Sequence, residues 1–135
     1  MITKDLVTIR EYIPTDKDLI LPSWLNGLRF GSKHYRKVNK DLYFSFHYLL
    51  FDSILDNPNI VKAVAALTED PDVIIGYVIH DHRTLYWAYV KPAWRQLGIF
   101  KSMLPDTIES VRYHTIKAKK CLPRHIQYEK LEKQL

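Results

Sequence analysis

The feature that most constrains the fold is a change of hydrophobic period in the second half of the chain. Residues 84–90 form a continuous run rich in apolar and aromatic side chains, closed by Pro92, which predicts a buried strand. A helix is predicted after Gly98, because the apolar residues now recur at helical spacing: Ile99, Met103, Leu104, Ile108 and Val111. Pro105 is expected to kink or shorten that helix. A further extended run predicts one parallel strand, helix, strand crossover over residues 84–118.

Periodic patterns also predict the rest of the secondary structure. Residues 6–13 alternate as a strand, Pro22 to Gly31 suits a short helix, and residues 41–55 suit a longer one. Runs over residues 60–67 and 73–80 predict a hairpin, and the chain ends with a fifth strand near 113–118 and a helix from about residue 125. This order predicts the α+β class, with a mixed, mostly antiparallel sheet flanked by helices in a single domain over residues 1–135.

Positive charge is concentrated in the C-terminal third of the chain. The first 90 residues hold 10 Lys and Arg against 11 Asp and Glu, whereas the last 45 hold 10 against 4. Such a region is either a solvated surface or an attractor of nucleic acid, an acidic protein or a phosphorylated small ligand. Cys121 is the only cysteine, which excludes an internal disulfide. Neither a signal-like N-terminus nor a long apolar run occurs, so we expect a cytoplasmic protein without a membrane partner.

The segment over residues 95–101, here called the anion loop, has the properties of a phosphate-binding turn. It follows a strand and a proline and leads into a helix, where successive backbone N–H groups lack a helical acceptor. Gly98 has no Cβ and permits close approach of an anion, while Lys91, Arg95 and Lys101 supply positive potential. Alone, this pattern is a weak indication of phosphate binding.

The wider stretch resembles the cofactor motif of the GCN5-related N-acetyltransferase (GNAT) superfamily. The resemblance rests on Val90, Pro92, Trp94, Arg95, Gly98 and Ile99 in that order. Residues 73–79 look like the glycine-bearing strand that precedes this motif, and residues 128–131 look like the family's tyrosine-bearing helix. Phe100 departs from the pattern, since the family usually has Gly or Ala there. The chain also stops soon after the tyrosine, so we expect a homodimer or a partner protein to cover an exposed sheet edge.

The resemblance implies an N-acyltransferase that uses acetyl-CoA as co-substrate, without a metal, to acylate a small-molecule or peptide amine. It implies that Tyr128 acts as the catalytic acid on the departing thiolate. The cofactor-binding residues that it implies are Tyr89, Val90, Arg95, Gln96, Leu97, Gly98, Ile99, Phe100 and Lys101. A backbone N–H near Ala88 or Tyr89 is expected to polarise the thioester carbonyl.

The sequence leaves two alternatives to catalysis open. The first is a non-catalytic GNAT-like module that binds a protein partner or coenzyme A without turnover, because the motif strand carries no carboxylate. The second is a nucleic-acid-binding domain that uses the basic C-terminal run with Tyr113 and Tyr128 as stacking surfaces. Residues that offer a general base in the predicted turns are better explained as turn formers: Glu69, Asp70, Asp72, His80, Asp81 and His82.

Overall fold

The computed structural model describes residues 2–113 and, for the backbone alone, Gln127 and Tyr128. Its helices are α1 (Lys17–Gly31), α2 (Lys33–Arg36), α3 (Lys40–Asp56) and α4 (Ile99–Met103). Its strands are β1 (Val7–Glu11), β2 (Val61–Leu67), β3 (Ile74–His80), β4 (Thr84–Val90), β5 (Ser110–Val111) and β6 (Gln127–Tyr128). Short 3-10 turns span Lys4–Leu6, Pro14–Asp16 and Pro92–Trp94.

The described strands form one sheet in the order β1-β2-β3-β4-β5-β6. The pairs from β1 to β4 are antiparallel, whereas β4 pairs with β5, and β5 with β6, in parallel. The N-terminal end of β1 therefore lies at the same end of the sheet as the C-terminal end of β4, a position that matters for the site below.

Helices α1 and α3 cover one face of the sheet through a cluster that we call the helix-hairpin core. Trp24 of α1 stacks on Phe51 of α3 with ring centroids 3.7 Å apart, and both rings are fully buried. The hydroxyl of Tyr43 donates to the carbonyl oxygen of Leu25 at 2.6 Å. Aromatic side chains of β3 and β4, including Tyr77, extend this core across the sheet. Burial of such large rings is the main stabilising contribution on this face.

The opposite face carries a smaller cluster, the α4 core, beneath the short helix α4. Ile99 and Met103 of α4 are buried against Val78 and Val90 of the sheet. Helix α4 ends two residues before Pro105, which cannot supply the N–H that continued helical bonding needs. The expected helix is therefore shortened to five residues.

The sequence predicted much of this architecture. The α+β class, the long second helix, the hairpin, the strand over residues 84–90 and the parallel crossover are confirmed. The short helix expected from Pro22 is wrong at its start, because α1 begins at Lys17 and carries Pro22 inside it.

The structure differs from the two predictions for the C-terminal region. The fifth strand lies at Ser110–Val111, before the expected residues 113–118, most of which fall outside the described residues. The terminal helix expected from residue 125 is wrong at Gln127 and Tyr128, which form a strand. These two residues pair in parallel with β5, so their backbone groups bond to a neighbouring strand rather than along a helix. None of the described helices is long and apolar enough to cross a membrane.

The start of α1 is held by a buried carboxylate. The Arg10 guanidinium donates to both oxygens of Asp16, at 2.8 and 2.9 Å, and the Ile13 N–H donates to it at 2.9 Å. Burial alone would raise the pKa of Asp16, but these donors hold it below its ordinary value. Sequence periodicity contains no information about this tertiary anchor, which explains why the helix start was misplaced.

Candidate functional site

Strand β4 contains a bulge relative to β3. Ile79 lies opposite Trp87, but the next residue, His80, lies opposite Leu85, so Tyr86 has no counterpart on β3. Tyr86 and Trp87 consequently both belong to the helix-hairpin core, whereas Leu85 belongs to the α4 core. The bulge reverses which backbone groups of β4 face each of its neighbours.

Beyond the bulge, β4 separates from β5. Thr84 pairs with Ser110 and Leu85 with Val111, and among the residues that the structure describes no strand pairs with residues 86–90 on that side. We call this opening the β4–β5 gap. A parallel pair joined at only two positions leaves the remaining backbone groups of β4 available to a ligand.

The backbone of β4 presents two residues to this gap. The Lys91 N–H donates to the Ile75 carbonyl at 2.9 Å, on the β3 side. Backbone groups of successive strand residues point in opposite directions, so those of Val90 and Ala88 point away from β3 and into the gap. The Val90 carbonyl is already bonded there, because Arg95 Nε donates to it at 2.7 Å. The Ala88 groups and the Val90 N–H are the ones that face the gap.

Gly76 permits the close packing of β3 on the end of β4. A methyl group built on Gly76 would lie 2.6 Å from the Tyr89 carbonyl oxygen and 3.2 Å from the Val90 Cα. Both distances are shorter than van der Waals contact, and both obstacles are backbone atoms. The glycine of this strand therefore fixes the position of the gap-lining residues.

The anion loop follows β4 and has two left-handed residues. Gln96 has a φ of 65° and Gly98 a φ of 81°, a region that glycine adopts without steric cost and other residues rarely enter. Within the described part of the chain, the backbone N–H groups of residues 96–101 have no hydrogen-bond acceptor. Six free donors in one short segment suit an anion such as a pyrophosphate.

Side chains of the predicted site fall into two groups. Ile99 is buried, and Leu97 and Phe100 pack half-buried against the same α4 core, so the polar groups that these three offer to a ligand are backbone groups. Phe100 thus has a packing role that places much of its ring against the core. Gln96 and Lys101 are exposed. The Cζ atom of Arg95 lies 5.7 Å from the centroid of the Tyr89 ring, so the two side chains pack against each other beside the loop.

Lys4 was not among the predicted site residues, yet it lies at the anion loop. A methyl group built on Gly98 would lie 3.9 Å from the Nζ atom of Lys4. A distance of 94 residues along the chain separates the two positions, and no sequence pattern connects them. The antiparallel strands place the start of β1 and the end of β4 at the same end of the sheet, and α4 contacts β2 and β3 as well as β4, which brings Gly98 towards β1.

Tyr128, the predicted catalytic residue, is described only as backbone. It pairs with Val111, which in turn pairs with Leu85 of β4. Two strand spacings of about 4.8 Å each therefore separate the Tyr128 backbone from β4 at that level of the sheet. Its side chain lies outside the described part of the structure.

Asp81 and His82 lie in the β3–β4 turn, as the turn interpretation predicted, whereas His80 is the last residue of β3. An Asp81 carboxylate oxygen accepts from the Arg83 and Thr84 N–H groups at 3.0 and 2.7 Å, and His80 Nδ1 accepts from the His82 N–H at 3.0 Å. In the described ranges, no cluster of three or more His, Cys, Asp or Glu side chains is arranged to hold a metal ion.

Comparison with known proteins finds the same fold in solved structures. No protein-family model matches the sequence, and no curated protein matches it. Among solved structures, a protein from Pyrococcus furiosus assigned as an acetyl transferase is 22% identical with a TM-score of 0.51, over 91% of this chain and 81% of its own. A protein from Clostridium difficile 630 assigned as an acetyltransferase is 18% identical with a TM-score of 0.50, over 92% and 79%.

An acetyltransferase of the GNAT family from Staphylococcus aureus Mu50 is 17% identical, with a TM-score of 0.48 over 73% of this chain. The chain spans 61% of the length of that staphylococcal protein. The described strands define the α+β class, with a mixed, mostly antiparallel sheet in which the parallel pair β4–β5 is joined at only two positions. The chain shares its fold with the structures from Pyrococcus furiosus and Clostridium difficile 630, as the resemblance to the GNAT superfamily predicted.

Proposed function

We propose that this protein is an N-acyltransferase that takes an acyl group from a coenzyme A thioester and transfers it to an amine. The observation that carries the proposal is the continuity of the β4–β5 gap with the anion loop. Ala88 and Val90 offer backbone groups to an extended amide-containing arm, and residues 96–101 offer free N–H donors to a pyrophosphate just beyond them.

The bound thioester supplies an activated acyl group, and the chain's own groups position and polarise it. The Ala88 N–H faces the gap, where it donates to the thioester carbonyl and stabilises negative charge on that oxygen. The Val90 N–H holds the pantetheine arm, while Arg95 keeps the Val90 carbonyl occupied. Such fixed placement of the reacting group is the main source of rate enhancement here.

Tyr128 is proposed as the acid that protonates the departing thiolate, and the acceptor as a small-molecule or peptide amine. The support for this role is the sequence resemblance of residues 128–131 to the family's tyrosine-bearing helix, although Tyr128 itself lies in the strand β6. The acceptor must lose a proton, and His80, Asp81 and their neighbours are engaged in turn hydrogen bonds. We therefore propose bulk water or a water chain as the proton acceptor.

A non-catalytic module that binds coenzyme A without turnover is the second candidate. The position of the Tyr128 backbone, two strands away from β4, favours it. The two proposals share the cofactor site and differ only in turnover.

Calorimetric titration with acetyl-CoA, followed by thiol release against a panel of amines, tests both candidates. We expect one ligand per chain and a rise in Tm by mass action. Gly98→Glu should abolish binding, because it places a negative side chain at the free donors and strains a residue with a φ of 81°. Absence of heat and of a Tm shift with millimolar acetyl-CoA contradicts the cofactor site. Binding without thiol release from any amine favours the non-catalytic module.

A further inference from the structure

We propose that Lys4, from the N-terminal segment, binds the pyrophosphate of the coenzyme A ligand together with the anion loop. The inference rests on the proposed function, since it assigns a further residue to the same site. Its basis is the proximity of the Lys4 ammonium to Gly98, the residue at the centre of the free N–H donors.

The backbone of Lys4 is held in place by hydrogen bonds. Lys4 opens a 3-10 turn in which its carbonyl accepts from the Val7 N–H, and the Leu6 N–H donates to Thr3 at 3.2 Å. The Thr68 N–H donates to the Leu6 carbonyl at 2.9 Å and so ties this turn to the end of β2. The side chain thus starts from a fixed position at the end of the sheet where β4 also ends.

The Lys4 ammonium is available to a ligand. Its side chain is exposed, and no carboxylate of the described residues lies within ion-pair distance of it. Lys91, Arg95 and Lys101 are likewise without a carboxylate partner in those same residues, so four cationic side chains belong to this end of the sheet. Their unneutralised charge favours a dianionic group over a neutral one.

The distance between the Lys4 ammonium and Gly98 leaves room for a phosphoryl oxygen beside the glycine. The Lys4 Nζ atom lies 3.9 Å from the methyl position of Gly98. A charge-assisted N–H···O hydrogen bond is about 2.8 Å long, so a phosphoryl oxygen bound by the ammonium can lie in the space beside Gly98. A side chain at position 98 would occupy part of that space, so ligand binding favours glycine here in addition to the positive φ.

Isothermal titration of coenzyme A and of 3′-dephospho-coenzyme A into wild type and variants tests the assignment. We expect Lys4→Gln to weaken both ligands by about fivefold, which corresponds to about 1 kcal/mol for an exposed charge contact. Lys4→Arg, which keeps the charge, should recover most of the affinity. Lys33→Gln, a change at an exposed lysine of α2, should bind both ligands as wild type does. The difference between Lys4→Gln and wild type should shrink in 1 M salt.

Each outcome separates this inference from the proposed function. If wild type binds neither ligand, the proposed function is overturned and this assignment with it. If wild type binds and Lys4→Gln binds equally well, only the role of Lys4 is overturned. A loss confined to coenzyme A, with dephospho-coenzyme A unaffected, moves Lys4 to the 3′-phosphate and overturns the pyrophosphate assignment. Tm values of the ligand-free proteins control for folding, and we expect them to be equal because the ammonium has no described partner.

Discussion

Gly76→Ala should destabilise the fold and disturb the candidate site together. Where the backbone permits, replacing glycine with alanine stabilises a protein by about 0.4–1 kcal/mol through the unfolded state. At position 76 the new methyl would meet the Tyr89 carbonyl oxygen at 2.6 Å and the Val90 Cγ2 and Cα atoms at 3.1 and 3.2 Å. Overpacking of this kind costs about 1–3 kcal/mol, and backbone obstacles cannot rotate away as a flexible side chain can.

The net loss expected for Gly76→Ala is about 1–2 kcal/mol in the free energy of unfolding, or about 3–8 °C in Tm for a chain of this size. Urea unfolding followed by tryptophan fluorescence measures it, because the chain has three tryptophans. The affinity for acetyl-CoA should also fall, since the displaced atoms belong to the residues that line the β4–β5 gap.

Gly27→Ala is the matched control for this prediction. The methyl at position 27 would lie 2.7 Å from Cζ2 of Trp87, a half-buried side chain rather than backbone. Alanine also gains about 1 kcal/mol over glycine inside a helix, which offsets the displacement of the ring. We expect a smaller loss of stability and unchanged acetyl-CoA affinity. The reasoning is refuted if Gly76→Ala is as stable as wild type, or if Gly27→Ala costs more than Gly76→Ala.

Three further predictions concern protonation, anchoring and turnover. Burial lowers the pKa of His47, whose Nδ1 lies 3.0 Å from the Tyr43 carbonyl oxygen. The unfolded state therefore binds the proton first, and the free energy of unfolding falls as the pH drops below about 6.5. His47→Leu should flatten that pH dependence in urea titrations between pH 7 and 5. Asp16→Asn should lower the free energy of unfolding by about 2 kcal/mol at neutral pH, because it weakens the pairing with Arg10. The difference from wild type should shrink below about pH 4, where the Asp16 carboxylate becomes protonated and the stability from its lowered pKa is lost. Equal stability of the two proteins at pH 7 contradicts the anchor. Tyr128→Phe should lower kcat and kcat/KM about 100- to 10,000-fold without changing coenzyme A affinity, and equal thiol release would remove Tyr128 from the mechanism.

The local elements of the candidate site were predictable from sequence. The run over residues 84–90 was predicted as a strand and is β4, and the helix predicted to begin after Gly98 is α4. Period and proline placement are properties of neighbouring residues, so short-range sterics are enough to fix them. The left-handed conformation of Gly98 belongs to the same category, because a glycine before a helix permits it at no cost.

The bulge at Tyr86 was not predictable, although it determines which groups of β4 face the gap. An uninterrupted aromatic run contains no signal for the extra residue, because the bulge exists only relative to β3. The start of α1 is similar, since Asp16 is held by Arg10 of the preceding strand and by loop backbone rather than by its own helix.

The sequence by itself determined the strand, the turn, the helix start and the charge of the anion loop, because those follow from residues close together in the chain. Tertiary structure alone decided that Lys4 lies beside Gly98 and that Tyr128 pairs beyond β5. Both depend on strand order and register, which arise from long-range pairing that gains its free energy only when the whole sheet assembles. A residue 94 positions away can then complete a site that its own sequence neighbourhood does not indicate.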